Sequence, residues 1–307
     1  MKKRLPIGTD EFRKVREQDR YYVDKTMLIK EIIESNDDVI LITRPRRFGK
    51  TLNMTMLREF FDITVDSMGN FNGLAIMGTE YSRLINSRPV IYFSFKDCKE
   101  NTIELFKDIM NNIICNEYKK HYRILKGTAD ENDPDFYQFF MLFEKLLNNN
   151  TSISDLKTSI DLLLRVLYLY YKIEPIIIID EYDQPIVSSF EYGYHEQLTS
   201  FFSGFYGMAL KGQGCLHQAI LTGIQRVVKE SIFSQLNNVS VYTVVDEEFS
   251  EYFGLNTEET KELLCYYGLT LDESVKQKYD GYLFYKTEMY NPWSIVNYAK
   301  RKKLECY

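Results

Sequence analysis

The sequence predicts an α/β protein: a mostly parallel β-sheet with helices on both faces, followed by a small C-terminal helical region. Three observations carry this. Short apolar runs alternate with longer segments of helical spacing, the pattern of strand–helix–strand units. One run, Ile176–Ile179 behind Pro175, is apolar at every position, as a strand buried on both faces requires. Two of the runs end directly in polar turns of distinctive composition, Gly49-Lys50-Thr51 and Asp180-Glu181.

Taken in order, residues 21–35 read as a helix, with Met27, Leu28, Ile32 and Ile33 at helical spacing. Asp38–Thr43 (DVILIT) reads as a buried strand, and Leu52–Ile63 as a helix with Leu52, Met56, Leu57 and Phe60 on one face. Residues 64–80 read as loop and Pro89–Phe95 as the next strand. A helix follows from Thr102 to Tyr122, then a break at Gly127–Asp135 (GTADENDPD), then helices near 136–149 and 154–172. Glu174–Asp180 supplies the isoleucine strand. Residues 195–211 read as a helix, Leu216–Ile224 as a fourth strand and Val239–Val245 as a fifth. After Asp246 the segments read as short helices. Residues 1–246 are therefore expected to form the main domain and 247–307 a lid-like helical region.

The chain has 307 residues, 45% hydrophobic and 27% charged, ordinary for a globular protein with a sizeable core. Tyr (24) and Phe (20) dominate the aromatics over a single Trp, which predicts a Tyr- and Phe-packed core. The five cysteines form no C-x-x-C pair and the three histidines are scattered, so a zinc site is not expected. The N-terminus has positive charge but no apolar stretch behind it, and no apolar run is long enough to span a bilayer. A cytoplasmic protein with no membrane partner is expected. The net charge of −6 argues against bulk nucleic-acid binding, although Arg44, Arg46, Arg47 and Lys300–Lys303 form local basic clusters.

Gly49-Lys50-Thr51 is the end of a phosphate-binding loop whose first glycine is replaced by Arg44. A three-residue match alone would be a solvated basic turn. Here it follows a strand and opens a helix, where backbone N–H groups and the helix N-terminus face an anion. Gly49 permits close approach of backbone to phosphate, Lys50 suits the β- and γ-phosphates, and the Thr51 hydroxyl suits Mg²⁺. Pro45 fixes φ at the loop entrance, and Arg46 and Arg47 add positive charge. Arg46, Arg47, Phe48, Gly49, Lys50, Thr51 and Leu52 form the expected nucleotide-holding stretch. Asp180 would hold the metal and Glu181 would polarise the attacking water. Asp183 is either a third acid at the metal edge or a plain loop acid. Thr222, closing the fourth strand, would sense the γ-phosphate or position water, and Arg226 and Lys229 lie just beyond it. Tyr21 and Tyr22 are candidates to lie by the base, and Asp24 or Thr26 to cap the following helix. A metal-nuclease reading of the DEYD acids lacks a lysine on an adjoining strand.

The stretches IGTDEFRKVREQDRYYVDKTMLI, ITRPRRFGKTLNM, PVIYFSF, IIIIDEYDQPI, LTGIQRVVKESIFSQLNN and YDGYLF…YNPWSI together resemble the bacterial AAA-ATPase-like proteins, P-loop ATPase domains akin to the STAND and archaeal-type ATPases. The resemblance runs from about Leu5 to Trp293, and RPRRFGKT is a typical loop of that family. It implies an ASCE-type P-loop NTPase sheet, with the Leu216–Ile224 strand between the loop strand and the acidic strand. It implies phosphate-loop roles for Gly49, Lys50 and Thr51, acidic strand-end roles for Asp180 and Glu181, and a sensor role for Thr222. Such proteins often continue into a domain resembling the PD-(D/E)XK nucleases. This sequence stops at Tyr307 after the helical region, either as a truncated chain or as a member without that domain, and the expectation rests on the ATPase part alone.

The expected function is binding of ATP with Mg²⁺, with hydrolysis to ADP and phosphate driving a conformational switch or motor for a partner or a missing effector domain; the partner expected is a protein or a second copy of the chain. The alternatives are a non-hydrolysing nucleotide switch and a nucleic-acid-associated ATPase. No N-K-x-D-type guanine-reading motif is present, which leans the expectation to ATP over GTP.

Overall fold

In the computed structural model, which describes residues 2–130, 132–211, 214–225, 232–233 and 236–307, the chain begins with α1 (Phe12–Glu17), α2 (Met27–Ser35), β1 (Val39–Thr43), α3 (Lys50–Phe61) and α4 (Met68–Phe71). It continues through β2 (Val90–Ser94), α5 (Ile103–Leu125), α6 (Pro134–Leu147), α7 (Ile153–Tyr171), β3 (Ile176–Asp180), α8 (Gln184–Tyr192), α9 (His195–Leu210), β4 (Gln218–Gly223) and β5 (Val239–Tyr242). It closes with β6 (Leu255–Asn256), α10 (Thr257–Tyr266), α11 (Glu273–Tyr279), β7 (Tyr282–Phe284), β8 (Thr287–Tyr290) and α12 (Pro292–Arg301).

The principal sheet has the order β2-β3-β4-β1-β5. β2, β3 and β4 pair in parallel, with Val90 opposite Ile176 and Ile176 opposite Gln218. β4 thus lies between the acidic strand β3 and the loop strand β1, the order expected. Every residue of β1, β3 and β4 is buried, which is why these strands read as continuous apolar runs rather than alternating ones.

The chain packs as two units. One comprises the chain up to Asn36, Ile42–Asn86 and Val241–Tyr307; the other comprises Asp37–Leu41 and Ser87–Ser240. In the second unit, the helices α5, α6, α7 and α9 bury an aromatic layer. The Phe202 ring packs against Phe95 and Phe106, and Phe201 and Phe205 lie beside it. Part of the phenylalanine content goes into this layer. Helix starts are set locally: Ser152 and Asp155 form a capping box at α7, and Asp133 caps α6 ahead of Pro134. Among the described residues no helix is long and apolar enough to cross a membrane.

In the first unit the sequence reading places no helix at α1 and has 64–80 as loop where α4 forms, and the structure departs from it at two further places. Residues 21–35 are not one helix. Tyr21 donates its amide to the Arg4 carbonyl, and the Asp24 carboxylate accepts from the amide and hydroxyl of Thr26 and from the Ala75 amide. These bonds keep 21–26 out of the helix, and helix begins only at Met27. Thr26 occupies the N-cap position without a side-chain capping bond, so neither Asp24 nor Thr26 caps α2. At the C-terminus, β6, β8 and β7 form a small antiparallel sheet among the expected helices. Its strands are two to four residues long, too short for an alternation to show. Leu255, Leu264, Val275, Tyr290, Ile295 and Tyr298 form the core beneath it.

Candidate functional site

β1 ends at Thr43, and the chain turns through Arg44–Gly49 into α3. The turn contains two left-handed residues, Arg47 at φ 69° and Gly49 at φ 83°. No atom lies within 4 Å of where a Cβ on Gly49 would sit, so the space over this residue is open. Lys50 and Thr51 form the first turn of α3, where amides have no partner inside the helix and attract anions. The Lys50 ammonium folds back over the loop and donates to the Arg44 carbonyl at 3.2 Å and the Pro45 carbonyl at 3.1 Å. An ammonium so placed marks the position of the loop's centre.

The loop arginines divide. Arg46 and Arg47 are exposed. The Arg47 guanidinium lies 5.0 Å from the centre of the Trp293 ring, and Asn291 donates to the Arg46 carbonyl at 3.4 Å while capping α12. Arg44, by contrast, is wholly buried. Its guanidinium donates to the carbonyls of Thr43, Tyr242 and Glu248 and lies over the faces of Phe253 and Phe284, 5.5 and 5.4 Å from their centres. Burial pulls its pKa down to about 10, which leaves it charged at neutral pH. Phe48 is also buried, its ring against Tyr282 and Phe284. Gly254 makes room for it: a Cβ there would lie 2.9 Å from the Phe48 ring, on a backbone at φ 111°. Phe253, Phe284, Asn291 and Trp293 are contacts that sequence reasoning missed. Phe284, Asn291 and Trp293 lie in the YDGYLF…YNPWSI stretch that carries the resemblance, but neither that stretch nor the Asn-Pro helix start at 291–292 hints at a loop contact.

An apolar cavity adjoins Gly49 within the same unit. Tyr21, Tyr22, Val23, Leu52, Leu255 and Val296 supply much of its wall. Its polar edge includes Lys25 and Asn53. Lys25 is buried and donates to both oxygens of Glu259, at 2.5 and 2.6 Å, and to the Glu251 carbonyl at 2.6 Å. Burial lowers the Lys25 pKa, and Glu259 opposes that shift. Glu259 also closes the capping box of α10 with Asn256, so one carboxylate serves both elements.

In the second unit, β3 delivers Asp180 into a fully buried position. Its Oδ1 accepts from the Thr222 hydroxyl at 2.8 Å. The backbone around it is pinned on both sides: Phe95 donates its amide to the Asp180 carbonyl and Tyr182 donates to the Thr222 carbonyl, both at 2.9 Å. Between these two bonds Glu181 takes φ 56°, left-handed and unfavourable for a residue with a Cβ. Asp183 is buried, and its Oδ2 accepts the amides of Ile224 and Gln225 at 2.9 and 2.8 Å. Burial raises its pKa, and the two backbone donors oppose that shift. The carboxylate therefore braces the turn after β4, which is the loop-acid alternative of the sequence reading. Gly223 permits this: a Cβ there would lie 2.5 Å from the Tyr182 ring and 2.7 Å from Asp183 Oδ1. Arg226 and Lys229 lie outside the described residues. Among the described residues no cluster of three or more His, Cys, Asp or Glu could hold a metal.

A buried strand, a Gly-Lys-Thr turn at a helix N-terminus, and a second strand ending in Asp-Glu define a protein of the P-loop NTPase class. Over residues 6–233 the chain matches the family described as Predicted AAA-ATPase, and it belongs to that family. A relative from Azotobacter chroococcum mcd 1, described as "Uncharacterized protein in vnfD 5'region", is 26% identical over the whole of this chain. The chain spans 54% of that relative's length.

Asp183→Ala is expected to leave two amides and a buried site unsatisfied and to cost about 1–3 kcal/mol of stability in urea denaturation. An unchanged midpoint would show that the turn after β4 does not depend on this carboxylate.

Proposed function

We propose that this chain binds ATP with Mg²⁺ and hydrolyses it to ADP and phosphate. The observation that carries the reading is the loop itself: an open Gly49 and the N-terminus of α3, with the Lys50 ammonium folded over the loop carbonyls beside an apolar cavity. The phosphates would take the amides of the Arg46–Leu52 stretch, and Lys50 would leave the Arg44 and Pro45 carbonyls for the β- and γ-phosphates. The base would enter the cavity walled by Tyr21, Tyr22 and Leu255. Its apolar wall with polar groups at the edge matches the chemistry of a base, and at about 90 Å³ it would have to widen to admit one.

Mg²⁺ binds through one or two protein oxygens, keeping waters and phosphate oxygens as its other ligands. Thr51 would offer a hydroxyl and Asp180 a carboxylate, oxygens of the kind Mg²⁺ takes without a dedicated cage. When bound, the ion would neutralise charge on the phosphates. Glu181 would accept a proton from the attacking water, its position fixed by the pinned backbone on either side. Thr222 holds Asp180 and is assigned as the sensor; Arg226 is assigned to the developing phosphate charge. An arginine from a protein partner or a second copy would raise a slow basal rate. The nucleic-acid reading is weakened because Arg44 is buried and Arg47 is engaged with Trp293.

MgATP at a hundredfold excess over Kd should stabilise the wild type by about 2.7 kcal/mol, read as a rise in Tm. Lys50→Ala should lose that ligand-induced rise. An equal rise in the variant would remove Lys50 from the phosphate site. Glu181→Gln should bind MgATP as the wild type does but release phosphate at least about 100-fold more slowly. Equal release rates would remove Glu181 as the base, and ATP binding with no release from either protein would favour the non-hydrolysing switch.

A further inference from the structure

We propose that Arg44 is a positioning residue for the phosphate loop. Seated as a buried post between Phe253 and Phe284, it fixes by packing the loop entrance that the usual motif gives to a glycine. The inference rests on the nucleotide reading above and concerns how the loop keeps its shape.

The geometry ties three parts of the loop to one anchor. Arg44 and Phe48 are four residues apart and both are wholly buried. Both meet the same ring, the Arg44 guanidinium at 5.4 Å and the Phe48 ring at 5.1 Å from the centre of Phe284. Between them the chain passes through Pro45, with a restricted φ, and Arg47, in the left-handed region. Fixing both ends of so short a segment on one side chain leaves it little freedom. The Arg44 carbonyl, on the same residue, receives the Lys50 ammonium. A shift of Arg44 would therefore move the acceptor of Lys50, the entrance of the loop, and the chord that sets Arg47.

The partners also match what Arg offers and Lys does not. The planar fork donates to carbonyls of Thr43, Tyr242 and Glu248, while its faces lie on two aromatic rings. The Glu248 carbonyl is itself held in place, since the next amide, Phe249, donates to the Glu31 carboxylate at 2.6 Å. Thr243 and Asp246 close the turn before it through two bonds to the Asp246 carboxylate. The receiving site is thus built from side-chain-braced backbone.

The test reverses ordinary expectation. Arg44→Gly restores the usual glycine, and if the arginine were a tolerated departure, MgATP would bind as well or better. The proposal expects at least about a tenfold loss of MgATP affinity, a change of about 1.4 kcal/mol. Hydrogen exchange at amides 46–51 should speed up without nucleotide, while the amides of β3 and β4 keep their protection. Arg44→Lys, which keeps charge but not the fork, should fall between the two. Phe284→Leu should also weaken binding, and the Arg44→Gly/Phe284→Leu pair should lose less than the sum of the single losses. Affinity in Arg44→Gly equal to or above that of the wild type overturns the proposal, as does strict additivity of the pair. If Arg44→Gly fails to fold, Arg44→Lys and Phe284→Leu decide between weakened and unchanged affinity. If wild type itself binds no MgATP, the nucleotide reading fails separately, and unaltered loop exchange in the variants then overturns the positioning role.

Discussion

A guanidinium taken out of water carries a desolvation penalty of several kcal/mol, which at Arg44 the nearby Asp246 and Glu31 carboxylates offset only in part. The first unit meets it with three carbonyls and two aromatic faces around Arg44. Such an arrangement works only if the C-terminal segment 242–284 is folded against the residues that follow β1. The loop and that segment are therefore one structural problem. This accounts for the companionship, along one chain, of an atypical RPRRFGKT loop and the Tyr- and Phe-rich stretch at 279–290.

The acidic strand end solves a different problem. Asp180 is buried and ionisable, and it needs a donor; Thr222 provides one from the neighbouring strand. The turn that follows is strained at Glu181 and held by backbone bonds to Phe95 and from Tyr182 to Thr222. Strain of this type persists where the surroundings over-determine it. Tyr182 and Asp183 then tie the same turn to the one after β4, through the Gln225 carbonyl and the amides of 224 and 225.

Much of this was legible in the sequence because it rests on periodicity and adjacency. Ile176–Ile179 can be little else than a doubly buried strand, and Gly49-Lys50-Thr51 declares itself by its place between strand and helix. The strand order with β4 between β3 and β1 followed from the family resemblance. What was not legible depends on contacts distant in sequence. That Arg44 points inward follows from Tyr242, Phe253 and Phe284, some two hundred residues away, and a basic loop reads as solvated until they are in place. The non-helical start of the 21–35 stretch is set by Arg4 and Ala75, partners outside it, while the residues at helical spacing, Met27, Leu28, Ile32 and Ile33, all lie in the helix that forms. β7 and β8 are too short for a period to emerge. The alternatives for Asp183 stayed open because a carboxylate on a metal and a carboxylate on two amides look alike in one dimension.

The central claim is that the loop holds a nucleotide, and titration calorimetry of the wild-type chain tests it most directly. ATP is added with excess Mg²⁺ and again with the metal chelated. The account predicts saturable binding at a single site per chain, weaker without Mg²⁺. Absence of saturable heat under both conditions, in folded protein at millimolar ATP, would contradict it.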